Sequence, residues 1–197
     1  MNDKAINLQL KRCWDVDNPL YVRYHDEEWG VPVHDDQKLF EFFVLDCFQA
    51  GLSWWLILER REAFRAAFDG FKPEKIAGYK AKEVECLMKA PRMIKNRAKI
   101  LATINNAQKL LEVQKEFGSF DAFIWQFVNG KTIQNVFKDF SEVPAETEAS
   151  RAMSRELKKR GFKFVGPTIC YAFMQAAGLV NDHLVDCFRY SQLTLQR

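Results

Sequence analysis

The sequence predicts a mainly α-helical protein of two closely packed lobes. Apolar residues recur at helical spacing, turn and capping residues separate the recurrences, and no sustained alternation of apolar and polar residues demands a sheet. With 197 residues, 48% hydrophobic and 14% aromatic, the chain is long enough to bury a substantial core. One helical lobe is expected over about residues 35 to 130. A second, formed by both chain ends, takes 13 to 34 and 131 to 187, and terminal extensions lie at 1 to 12 and 188 to 197.

In chain order, Asp35 or Asp36 can cap a helix through KLFEFFVLDCFQAG, with Gly51 as its stop. Ser53 opens the next helix through WWLILERREAFRAAF, and Phe71 and Pro73 mark the following turn. KEVECLMKA reads as a short helix. A longer one spans about 95 to 115, its core stripe being Ile100, Ile104, Ala107 and Leu111. SFDAFIWQFVNG gives a helix ending near Gly130, and a polar connector fills roughly 131 to 147. A helix from about Glu148 leads into Gly161-Phe162-Lys163-Phe164-Val165-Gly166, and the last helix crosses Pro167 to Gly178.

That glycine-flanked turn organises the chain. Glycines permit close backbone approach, a helix starts directly behind the turn, and its amides can face a phosphate. Arg155, Lys158, Lys159, Arg160 and Lys163 make its surroundings basic, which fits either nucleic acid or a solvated helix end. The net charge of +3 permits nucleic-acid binding without establishing it. Leu52, beside the Gly51 bend, reads either as an apolar wedge for unstacked DNA or as core.

Cys13, His25, His183 and Cys187 supply two sulfur and two nitrogen donors, a set suited to one tetrahedral, structural zinc ion. His183 and Cys187, four residues apart, can share a helical face; Cys13 and His25 are not at a standard finger spacing. The competing reading makes His25 a polar pocket residue, His183 a helix cap and both cysteines reduced core residues. Cys47, Cys86 and Cys170 read as core thiols, and His34 as a surface residue. Five cysteines argue against a disulfide framework. The N-terminus lacks the apolar core of a signal peptide, favouring the cytoplasm, and no stretch is apolar for long enough to cross a bilayer.

Tyr21, Tyr24, Trp29 and Trp54 offer flat faces for a nucleobase, and Asp46 can accept its N–H donors. The same residues also suit an ordinary helical core with a surface Asp.

WDVDNPLYVRYHDEEWGVP, QAGLSW at 49 to 54, and KKRGFKFVGPTICYAFMQAAGLVNDH together resemble the DNA-3-methyladenine glycosylase I family, over about Cys13 to Cys187. The resemblance implies a helix-hairpin-helix glycosylase fold, with a structural zinc on Cys13, His25, His183 and Cys187. It implies a base pocket of Tyr21, Tyr24, Trp29 and Trp54, with Gly51 and Leu52 at the gap in the duplex and Gly161 to Gly166 on phosphate. Where the family carries Glu before QQAGLSW, this chain has Asp46-Cys47-Phe48, a carboxylate one methylene shorter and an apolar ring for a polar group.

The implied reaction is monofunctional hydrolysis of the N-glycosidic bond of 3-methyladenine, flipped out of alkylated double-stranded DNA, with Asp46 recognising and orienting the base. The chain is expected to act as a monomer. A noncatalytic lesion-binding protein, a glycosylase of altered purine specificity and a Lys163 Schiff-base lyase are the competing readings.

Overall fold

The computed structural model describes residues 10–14 and 17–195. Among them the chain forms ten α-helices and one short pair of strands. The first helices are α1 (Pro19–Glu27), α2 (Asp36–Gln49), α3 (Trp54–Ala67), α4 (Pro73–Ile76) and α5 (Ala81–Lys89). The rest are α6 (Arg97–Phe117), α7 (Phe120–Trp125), α8 (Glu148–Lys159), α9 (Pro167–Ala176) and α10 (Phe188–Leu195).

The core is arranged around α2. Asp35 caps it, its side chain accepting from Lys38 N at 2.8 Å, and Asp36 instead holds the amides of Phe120 and Asp121 at the start of α7. Every residue of α2 from Leu39 to Phe48 is buried, which its nearly all-round apolar sequence dictates. α2 packs against α3, α6, α7 and α9, so the two expected lobes share this helix's packing. Phe43, for example, meets Phe120, Phe162 and Phe173 edge to face. Ser53 caps α3 through Leu56 N, and Thr147 caps α8 through Ser150 N.

Two features lie outside what the sequence predicts, and one expectation needs correction. A two-residue parallel pair, β1 (Ile133–Gln134) with β2 (Val180–Asn181), sits partly in the polar connector; it is too short for alternation to reveal it. The C-terminal extension is largely helical, because α10 packs on β2 and buries Leu193. Cys86 is exposed on α5, while Cys47 and Cys170 are buried as expected. His34 is the expected surface residue, stacked on Trp125 and bonded to Asp121. Among the described residues no helix is long and apolar enough to cross a membrane.

Candidate functional site

Two carboxylates are buried in α2, and they differ in their partners. Glu41 accepts from Arg61 Nε at 2.5 Å and from Arg65 at 2.6 Å. Arg61, only 4% exposed, completes its fork on Glu28 at 2.8 and 2.7 Å, tying α3 to the end of α1. Asp46 is 3% exposed, and its Oδ2 has no hydrogen-bond partner among the described residues. Burial pushes the Asp46 carboxyl well above the usual carboxylate range, opposed only in part by the charge of Arg61. A buried acceptor left unpaired costs stability, so this carboxyl marks a place where the fold yields to another requirement.

Tyr24 is its aromatic neighbour, and further rings adjoin Tyr24 and one another. Tyr24, on α1, lies 5.1 Å from Trp54, on α3, centroid to centroid. Burial, then the neighbouring Asp46, raises the Tyr24 phenol well above its ordinary value, which places the two groups together electrostatically. Trp54 Nε1 is likewise buried without a partner among the described residues. Tyr21 stacks on Trp55 at 5.9 Å and meets Trp14 at the same distance; neither Trp55 nor Trp14 was singled out from the sequence. Trp29 stands behind this group, 4.8 Å from Trp14 and 4.6 Å from His183, linking the aromatic side chains to the Cys/His cluster.

In that cluster the donor atoms of Cys13, His25, His183 and Cys187 all lie within 4.8 Å of one another, and all four residues are buried. Cys13 Sγ is 3.2 Å from His183 Nδ1, and Cys187 Sγ is 3.5 Å from both His183 Nδ1 and His25 Nε2. Such separations match the edges, about 3.5 Å, of a tetrahedron with metal bonds of about 2.0 to 2.3 Å. The outer contacts settle the ring orientations. His25 Nδ1 donates to Asp26 at 2.7 Å, Asp26 is held by Arg12, and His183 Nε2 donates to the Trp29 carbonyl at 2.9 Å. Each imidazole therefore turns a lone pair toward the two sulfurs. The hydrogen bond from Cys13 draws the Cys187 thiol toward thiolate against the cost of burial. His183 and Cys187 do not share a helical face; they lie in the turn between β2 and α10, where a loop can aim both inward.

The glycine turn closes between α8 and α9. Phe162 and Val165 point into the core, whereas Lys163 and Phe164 face outward. Gly161 adopts φ +87°, which an L side chain resists; Gly166, at φ −61°, has nothing within 4 Å of where a Cβ would stand. Gly166 is thus open space rather than a close approach within the protein. The long helix α6 grips the turn: Asn106 receives Lys163 N–H at 2.8 Å and donates to Lys163 O at 3.0 Å, and Asn105 donates to Gly161 O at 2.9 Å. Arg160 leaves the expected basic surface, being bound to Glu116 and Glu156 and laid over Phe117.

The bend after α2 hangs from the same helix. Lys99, 6% exposed, donates to Phe48 O at 2.7 Å and Ala50 O at 2.6 Å. It satisfies carbonyls that a helix end leaves unpaired and sets a cation at the negative pole of α2. Beyond it Gly51 adopts φ +76°, and Leu52 is 36% exposed. Lys99, Asn106, Arg61, Glu28 and Glu41 are supports of these elements that sequence reasoning missed. No spacing signal links them, since their partners lie 20 to 57 positions away.

Residues 14–190 match the family model of the methyladenine glycosylases. The DNA-3-methyladenine glycosylase 1 of Escherichia coli K12 is 49% identical over 182 residues, covering 92% of this chain and 97% of the relative. A crystal structure of 3-methyladenine DNA glycosylase I superposes with a TM-score of 0.88 at 48% identity, over 90% of this chain and 98% of that one. A Tyr-to-Phe variant of 3-methyladenine DNA glycosylase I in complex with 3-methyladenine gives 0.86 at 38% identity, over 88% and 93%. Fold, sequence and the matched span agree, and the chain belongs to the methyladenine glycosylase family.

Proposed function

We propose that this chain is a DNA-3-methyladenine glycosylase, hydrolysing the N-glycosidic bond of 3-methyladenine in alkylated duplex DNA during base excision repair. The observation that carries the reading is the buried Asp46 carboxyl, its Oδ2 without a partner among the described residues, next to Tyr24, whose ring meets Trp54. A flipped base has polar edges and π faces, and these side chains offer an acceptor and rings. Methylation at N3 makes adenine cationic, and that cation restores the carboxylate which burial opposes.

In this mechanism the bond between the sugar carbon and the base nitrogen breaks with its electron pair passing to the base, which leaves neutral. Water forms the new bond to the sugar carbon and gives up a proton, leaving free 3-methyladenine and an abasic site. Asp46 recognises and orients the base. Leu52 fills the gap left in the duplex, Gly51 allows the strand to approach, and Lys163 with the turn amides holds phosphate. Lys163 is exposed, which suits phosphate binding and gives it none of the desolvation a Schiff-base amine needs. The chain acts as a monomer with a helix-hairpin-helix DNA contact.

Cys13, His25, His183 and Cys187 would hold one zinc ion, whose contribution is structural: four protein donors leave no position for a reacting water. These residues then pin the segment before α1 to the turn before α10.

Single-turnover release of 3-methyladenine from alkylated duplex DNA tests the reading, with Asp46→Asn alongside. Release by the parent and a large loss in the variant are expected. Lesion binding without release by the parent protein would replace the enzyme by a noncatalytic lesion binder. Parallel substrates carrying N3-methylguanine, N7-methylguanine and hypoxanthine define how the shorter Asp46 sets the lesion range.

A further inference from the structure

α6 carries two apolar stripes. Ile100, Ile104 and Ala107 face the core, as helical spacing requires. Ala98, Leu101, Ala102 and Asn105 form a second face at helical spacing, and with Lys163 and Phe164 they line a shallow groove of about 440 Å³. Leu101 is 49% exposed and Phe164 37%. Phe164 also sits at φ +55°, a conformation rare for a bulky residue and common where function holds a backbone in place.

The groove lies against the glycine turn, and the bend after α2 hangs from the same helix. Lys99 fixes the bend that presents Leu52, and Asn106 fixes the turn that presents Lys163. These two anchors are seven residues apart in sequence, about 10 Å along a helix, which equals roughly three nucleotides of one B-DNA strand at about 3.4 Å each. Lys163 lines the groove and Lys95 stands three residues before Ala98 in sequence; neither pairs with an acidic side chain among the described residues.

We propose that Leu101 and Phe164 form an apolar seat for the deoxyribose faces of the strand that runs from the Leu52 gap to the Lys163 phosphate contact. This rests on the glycosylase reading and extends it, adding to α6 a DNA-facing role beyond holding the bend and the turn. Sugar faces are the apolar part of a DNA strand, and phosphates on either side meet Lys95 and Lys163. The seat fixes the strand without reading sequence.

The test compares binding of the full chain to a duplex with one tetrahydrofuran abasic analogue and to the matching undamaged duplex, over a range of salt concentrations. Leu101→Gln keeps a helix former at an exposed position. It is expected to weaken abasic-duplex binding about five- to tenfold without changing the salt slope, with Leu101→Met restoring it. Lys163→Gln is expected to lower the salt slope by about one. Leu101→Gln binding within about twofold of the parent overturns the seat, while a Lys163→Gln slope change leaves the glycosylase reading standing. Sedimentation in which Leu101→Gln dissolves a dimer overturns it in favour of a second copy as occupant. A parent protein that neither prefers the abasic duplex nor releases 3-methyladenine removes both readings.

Discussion

Lys99 Nζ stands 2.6 Å from Ala50 O, spanning from α6 to the end of α2 through the interior. The same ammonium holds Phe48 O, so one cation supports the backbone between Asp46 and Leu52. Lys99→Met leaves these carbonyls unpaired. We expect a loss of about 2 kcal/mol, read as a thermal midpoint lower by about 5 °C. Base release is expected to slow more than undamaged-duplex binding weakens, and a fluorescent base analogue at the lesion site separates the two. Equal loss in both would make Lys99 a support of stability alone.

Asp46→Asn is expected to stabilise the fold while disabling it. Unfolded, the carboxyl ionises near pH 4; folded, burial raises its pKa well above that. Between the two values the native state holds a proton that the unfolded chain has released, so the parent loses stability as pH rises through that window. Asn carries no such proton. The variant's stability should match the parent's near pH 4 and exceed it at pH 7.5, by about 1 to 2 kcal/mol, while base release falls about 10- to 100-fold. A gain that did not grow with pH would show that Asp46 is ionised without penalty.

Metal analysis is expected to find about one zinc per chain after purification without chelator, and its removal to lower the thermal midpoint by about 10 °C. Cys187→Ser should lower the zinc content in the same way. A metal-free preparation of undiminished stability would return the four side chains to the core.

Gly178 and Gly130 share positive φ, +73° and +69°, but not surroundings. A Cβ on Gly178 would stand 2.3 Å from Val31 C, whereas nothing lies within 4 Å of one on Gly130. Gly130→Ala should cost about 1 kcal/mol from backbone strain alone; Gly178→Ala should cost about 3 kcal/mol or more, because backbone must move. Denaturant midpoints of the two variants check the difference.

The sequence made local features readable. Asp35, Ser53 and the start at Glu148 announce helices because a cap and an apolar period lie within a few residues. The four metal-type donors were readable by chemistry, and the aromatic residues near Asp46 by type. What escaped has no local period. His183 and Cys187 are spaced like a helix pair yet lie in a turn, because α9 ends at Ala176 and β2 intervenes. The Glu28–Arg61–Glu41 network and the grip of Asn106 on Lys163 are made by folding alone. Their residues look like ordinary surface polar positions in a list.

The first described residues meet the turn that leads into α10. Phe188 N–H donates to Lys11 O at 3.0 Å, Cys13 meets His183, and Lys11 pairs with Asp186. Residues 11 and 188 are therefore held side by side, and the chain goes on from there into α10, which buries Leu193. A circular permutant follows, with a linker from residue 195 back to residue 10 and an opening between the exposed Pro144 and Ala145. It should keep the pocket, the cluster and the turn in register, since every contact that builds them is indifferent to where synthesis begins.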